Sequence, residues 1–388
     1  MYSLPRNVWL LAGSLALFMS LNVFMIFLGG IIGSALTPVK SLSTLPVALL
    51  VIGTASGIVP INRIMFIIGR YKTFLGVCIF TILNIYLAIV ALQMQSFYLF
   101  CLSSFLFGTT TATANQFRFA AIESVDKNLS VTATSVVLSG GLVSAFLGPE
   151  LATAGMDLFS TDFVGSFVLL SGCFGIAFFI LWFYQPINII GEKQNTAGRS
   201  LLEIMRQPIF IVAMSSAAVG YVVMSYLMTA TPMSMHVIDG FSLEHTKFVI
   251  QSHVIAMFLP SLFTPIVVKL VGLRKMMMIG VLFFFICVAI AFSSHAFTNY
   301  WTALILLGLG WNFLFIGGTS LLPQSYNEAE KLKVQSANDF LIFSLQALAS
   351  LSAGWLVFDF GWEVVLLSTV PLLVIQLIIL WHSLKVKY

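Results

Sequence analysis

Charge is what this sequence has least of. Only 8% of its 388 residues are Asp, Glu, Lys or Arg, and 59% are hydrophobic. An ordinary soluble domain carries about 25% charged residues. Mean hydropathy is +1.03. So little charge cannot clothe a water-facing surface, which points to a chain that crosses a membrane many times. Cysteine is scarce too. Cys78, Cys101, Cys173 and Cys287 each stand alone inside a hydrophobic run, and there is no C-x-x-C. That argues against a disulfide framework and leaves four buried apolar thiols. The formal net charge of +4 is scattered between hydrophobic runs rather than gathered in a patch, so nucleic acid is not an expected partner. No nucleotide-binding loop, catalytic-triad pattern or zincin motif occurs. An ATP-driven pump or a membrane enzyme is therefore not expected, and no resident cofactor is implied. The first hydrophobic run starts near Val8 without a small-residue cleavage site. It reads as a retained span rather than a signal peptide.

What the chain does have is twelve long hydrophobic runs. They lie near 7–34, 42–67, 73–93, 97–121, 130–155, 162–184, 207–234, 246–268, 275–295, 298–322, 334–357 and 362–383. Each exceeds the ~20 residues that carry a helix across the hydrocarbon core. The prediction is an all-α membrane protein with twelve transmembrane helices, solvated by lipid. With the N-terminus inside, 16 of the 18 Lys and Arg fall on or near cytoplasmic segments, and only Lys40 and Lys247 land outside. This positive-inside bias predicts that both termini are cytoplasmic.

The longest hydrophilic stretch, 185–207, divides the runs six and six. Within it Ser200-Leu-Leu-Glu203 reads as a capping box opening a short amphipathic helix. The expected bodies are a bundle over 1–187, a cytoplasmic linker over 188–206 and a bundle over 207–388. The halves echo one another. Gly69-Arg70-Tyr71-Lys72 follows span two, and Gly272-Leu273-Arg274-Lys275 follows span eight, with Pro60 and Pro265 ahead of them. The segment Glu123 to Val131 parallels Asn327 to Val334. This layout resembles the major facilitator superfamily. The basic loop after span two is similar to that superfamily's signature loop, although its acidic member is missing. Gly141 to Gly148-Pro149 resembles a second, glycine-spaced motif. The resemblance implies two six-helix bundles with substrate held between them near mid-membrane.

The chemistry concentrates between Met214 and Met257. Six of the chain's 16 methionines fall in those 44 residues. Met224 and Met228 stand four apart, as do His253 and Met257, and four apart is one face of a helix. Two antiparallel helices across a short loop would bring both pairs to similar depth on one cavity. Thioethers and an imidazole form a soft ligand set that suits Cu(I). Together with Thr229-Ala-Thr231-Pro232, Gly317-Gly-Thr-Ser-Leu-Leu and Gln335-Ser-Ala-Asn338-Asp339-Phe, these pairs resemble the CcoA-type bacterial copper importers. That resemblance implies import of copper across the bacterial inner membrane for haem–copper oxidase assembly. Copper would be cargo, Met224, Met228, His253 and Met257 its ligands, and a periplasmic donor and a cytoplasmic acceptor its partners. A sister group is similar to riboflavin transporters and shares the backbone motifs. The alternative is thus an importer of riboflavin or another small organic molecule, with 36 Phe and 7 Trp available to stack a ring.

Further candidates surround this set. Met233, Met235 and His236, with His245, would form a metal entry at the periplasmic mouth. Met19 and Met25 could face the same cavity from span one. Met276, Met277 and Met278 point three ways on a helix and read as packing. Glu150 and Asp339 are carboxylates inside hydrophobic runs, hence candidates for coupling or gating, with Arg118 the expected partner of Asp339.

Overall fold

The computed structural model describes residues 4–126, 129, 133, 136–185, 198–327 and 330–385. Lys127, Lys193, Glu328 and Lys387, which entered the sequence reading, lie outside the described residues, as does most of the 185–207 stretch. Twelve principal helices follow in order. They are α1 (Arg6–Leu36), α2 (Leu45–Ile68), α3 (Arg70–Gln93), α4 (Phe97–Glu123), α5 (Gly140–Ala154) and α6 (Val164–Trp182), then α7 (Pro208–Pro232), α8 (Leu243–Phe258), α9 (Leu273–Ser293), α10 (Phe297–Leu321), α11 (Lys331–Phe360) and α12 (Trp362–Lys385). No strand occurs among the described residues.

Eleven of the helices are long and apolar enough to cross a membrane. Span eight differs from the unbroken run expected near 246–268. α8 stops at Phe258, a 3-10 turn covers Leu259–Leu262, and a short helix resumes at Thr264–Val271. Pro260 and Pro265 bracket the break, and each removes a backbone donor. Asn312 of α10 fills part of the gap. Its Nδ2 donates to the Met257 carbonyl at 2.7 Å and to Ser261 Oγ at 2.7 Å.

The same pairings recur in the two six-helix bundles. α1 packs on α4 and α5, α2 on α4, and α3 on α6. In the second bundle α7 packs on α10 and α11, α8 on α10, and α9 on α12. The sharp turns repeat as well. A single residue, Gly69 at φ +83°, separates α2 from α3, and Gly272 at φ +84° separates the end of span eight from α9. A Cβ would be strained at that φ, which is why both turns use glycine. The acid missing from the signature loop is supplied by α4, where Glu123 Oε1 lies 2.7 Å from Arg70 Nη2.

Polar residues are tolerated inside these helices because they bond their own backbone. Ser14, Ser20, Thr54 and Thr81 each donate to the carbonyl four residues earlier. The first bundle's core is built on phenylalanine. Phe117 meets Phe18 and Phe74 edge to face at 4.9 and 4.8 Å. Gly148 of α5 lets α1 approach, since an added methyl there would meet the Ser20 carbonyl at 2.7 Å.

The segment after α7 corrects the expected short loop. The helix runs on through Pro232 into a π-turn, Met233–Ile238, where Asp239 N–H reaches the Ser234 carbonyl at 2.8 Å. Only Asp239-Gly240 and the next two residues separate it from α8. Ser200 caps the short helix Leu201–Met205 by accepting from Glu203 N–H. Arg199, just before it, grips Glu330 through Nε at 3.0 Å and Nη2 at 2.7 Å. The Arg199 guanidinium and the Asn327 N–H hold the Glu330 carboxyl well below its ordinary range, at about 2.

Candidate functional site

The start of α1 and the end of α12 lie on one side of the bundles, the terminal side. On the far side the bundles close on each other. Glu150 of α5 accepts from Lys247 Nζ at 3.2 Å and from Gln251 Nε2 at 3.1 Å, both on α8. A methyl added to Gly354 of α11 would strike Thr44 at the start of α2, and one on Gly30 of α1 would meet Met233 Cε at 3.0 Å. Below this closure lies a cavity of about 160 Å³.

The two bundles give it unlike walls. The first bundle contributes aliphatic side chains and a polar set, Asn22, Thr54, Thr111, Asn115 and Arg118, with no aromatic ring among its lining residues. The second contributes five aromatics, Tyr221, Phe258, Trp311, Phe315 and Phe343. Trp311 and Phe315 stack at 4.8 Å, and Tyr221 stands edge-on to both at 5.3 Å. These rings come from four helices whose one-turn spacings meet only in the fold. Arg118 and Asp339 confront each other across the cavity with Nη2 and Oδ2 3.7 Å apart. That balances charge without a hydrogen bond. Several buried atoms on the cavity's lining residues have no described partner: Thr111 Oγ1, Arg118 Nε, Trp311 Nε1 and Gln346 Oε1. Burying such groups unpaired is costly, so a partner reaching them would relieve that cost.

The structure splits the sequence-derived metal set. Met224, Met228 and Met257 line the cavity, and Met19 joins them from α1. His253 does not line it. Its ring is fully buried and Nδ1 lies 2.8 Å from the Leu304 carbonyl of α10. At roughly 100° per residue, Val254, Met257 and Phe258 spread over one sector of α8 and His253 falls at its edge, against α10. Among the described residues no group of three or more His, Cys, Asp or Glu could hold a metal ion. Met25 is buried but is not among the lining residues.

Met233 and Met235 are fully buried in the π-turn rather than standing at an open mouth. His236 is tied through Nδ1 to the Phe241 carbonyl at 2.7 Å. His245 sits edge-on to Phe241 and near Phe297. Met277 packs against Gly317. A network unremarked in the sequence holds this far end together. His295 bridges Asp239 at 3.0 Å and Glu363 at 2.9 Å, and Tyr300 donates to Asp239 at 2.8 Å. Burial lowers the His295 pKa, but the bonds to Glu363 and Asp239 outweigh it and the net direction is up.

No protein-family model matches the chain. Three known proteins do. It is 34% identical over 386 residues to the riboflavin transporter RfnT of Brucella anthropi, covering 98% of this chain and 96% of that protein. It is 27% identical to the MFS-type transporter YdeG of Bacillus subtilis, over 85% of this chain and 80% of the relative. The MFS-type transporter YddS of Bacillus subtilis matches at 24%, over 93% of this chain and 87% of the relative. With twelve principal helices among the described residues, in two repeating bundles around a cavity, and a full-length relative above 30% identity, the chain belongs to the major facilitator superfamily of membrane transporters and is not an enzyme.

Proposed function

We propose that this transporter carries riboflavin, or a close flavin analogue, inward across the bacterial inner membrane by alternating access. One observation carries the reading. Five aromatic rings line one cavity together with residues that carry unpartnered hydrogen-bonding atoms, Thr111 and Arg118 from the first bundle and Trp311 and Gln346 from the second. A flat heteroaromatic ring with a polar edge satisfies both at once, by stacking through its face and by bonding through its edge. The full-length likeness to a riboflavin transporter supports the same cargo. The positive residues support cytoplasmic termini, which makes the far-side closure a state shut to the outside. The moving bodies are then 1–187 and 207–388, joined by 188–206, with Arg199 and Glu330 fastening the linker to the second bundle.

Copper is the competing cargo, because four thioethers line the same cavity. The imidazole that would complete the set is turned toward α10. The deciding experiment is uptake by proteoliposomes of labelled riboflavin and, under reducing conditions, of Cu(I). Saturable riboflavin entry above empty liposomes is expected. Copper entry without riboflavin entry would overturn the proposal in favour of the metal.

A further inference from the structure

Polar side chains line the cavity in two columns, one on a helix of each bundle. On α4 they are Thr111, Asn115 and Arg118, and on α11 Asp339 and Gln346. α4 runs toward the terminal side and α11 away from it. Arg118 meets Asp339 at the terminal-side end. Stepping seven residues along each helix toward the far side gives Thr111 on one and Gln346 on the other. Seven residues rise about 10 Å, so the columns bracket a slot about as long as a three-ring fused system. The aromatic wall forms its flank, with Phe343 on α11 between the two polar positions.

The two ends of the slot differ. Thr111 and Gln346 are neutral. Arg118 and Asp339 set a fixed donor beside a fixed acceptor, too far apart to bond one another. Arg118 Nε is buried without a described partner, and its guanidinium is steadied by the Phe119 ring at 4.8 Å. An imide edge carries carbonyl oxygens on either side of one N–H. It is the complement of a guanidinium and a carboxylate standing side by side. We propose that Arg118 and Asp339 read the imide edge of the flavin ring, Arg118 donating to a ring carbonyl and Asp339 accepting from the imide N–H. The proposal rests on the flavin reading of the cavity. Since each residue belongs to a different bundle, a bound imide would also bridge the bodies that must move.

The test compares riboflavin with N3-methylriboflavin, which keeps the ring and its side chain but loses the imide donor. Binding to the purified full-length protein is read by quenching of flavin fluorescence, on the wild type, Asp339→Ala and Asp339→Asn. The wild type should bind riboflavin roughly 10- to 100-fold more tightly than the methylated compound. Asp339→Ala should erase that ratio by weakening riboflavin alone, leaving the methylated flavin where it was. Such non-additivity between a ligand atom and a side chain is not produced by a general loss of stability. Asp339→Asn, which keeps an acceptor oxygen in the same shape, should retain part of the ratio. The wild-type comparison needs no variant to fold. Equal wild-type binding of both flavins, or an unchanged ratio in Asp339→Ala, overturns the imide reading and leaves flavin transport standing. Binding of neither flavin by the wild type overturns both.

Discussion

The two bundles share one plan of helix pairing but spend their aromatic residues differently. In the first, phenylalanines such as Phe18, Phe74, Phe117 and Phe174 turn inward and pack on each other. Its cavity face is left to aliphatic side chains, amides, hydroxyls and one guanidinium, with no ring. In the second, Tyr221, Trp311, Phe315 and Phe343 turn toward the cavity. A repeat preserves backbone geometry, as Gly69 and Gly272 show, because the turns demand it. Nothing in the backbone obliges the two inner faces to match, so one bundle can supply the rings while polar groups come from both.

Stripping the aromatic wall should have the largest effect. Trp311→Ala is expected to lower riboflavin uptake roughly 10- to 100-fold, from lost stacking of about 1–3 kcal/mol. Trp311→Phe should keep most of the activity, and a thermal melt controls for packing against Phe315. Full uptake by Trp311→Ala would mean that the rings are core, like those of the first bundle. Blunting the polar wall with Thr111→Val and Asn115→Leu together should cost less, roughly 5- to 20-fold in apparent affinity, with little change in maximal rate. A rate defect at unchanged affinity would move these residues from recognition to closure.

Replacing the thioethers sharpens the contrast in the other direction. Met224→Leu, Met228→Leu and Met257→Leu keep volume and apolar character. Riboflavin uptake by the triple variant should stay within about twofold of wild type, since flavin recognition asks no metal ligation of these positions. A collapse of uptake in growth medium at limiting copper, with riboflavin transport intact, would support the metal instead. Glu330→Gln should have the smallest effect, none on transport at neutral pH. Its carboxyl titrates lower in the folded chain than in the unfolded one, at about 2. The stabilisation is therefore complete above the ordinary carboxylate range and fades as pH falls from there toward the folded value. Thermal melts of wild type should drop through that window, and those of Glu330→Gln should lack that part of the drop.

Much of the fold was legible because lipid imposes simple rules on sequence. Every backbone group must bond within its own helix, so spans appear as unbroken apolar runs. Span eight escaped that rule. Its run is apolar throughout, yet Pro260 and Pro265 interrupt the helix, and Asn312 from another helix satisfies part of what they release. The segment Met233–Ile238 looked like a loop because Pro232 precedes it, but a proline near a helix end need not stop the helix. Arg118 and Asp339, isolated charges in hydrophobic runs, stand 3.7 Å apart, and the cost of burying either alone is what made them conspicuous.

By itself the sequence determined the number of helices, their alternation across the membrane, the glycine turns and the division into six and six. These follow from local hydropathy, charge and backbone sterics, which act over tens of residues at most. Only the tertiary structure decided which faces meet in the cavity. His253 and Met257 share a spacing, yet the rotation of α8 against α10 sends one to the Leu304 carbonyl and the other to the cavity wall. Tyr221, Trp311, Phe315 and Phe343 lie over more than a hundred residues on three helices, with no common period to announce them. A helix fixes the angle between its own side chains. Its rotation is set by the neighbours it packs against, and in a chain with so few charges no charged face records that rotation in advance.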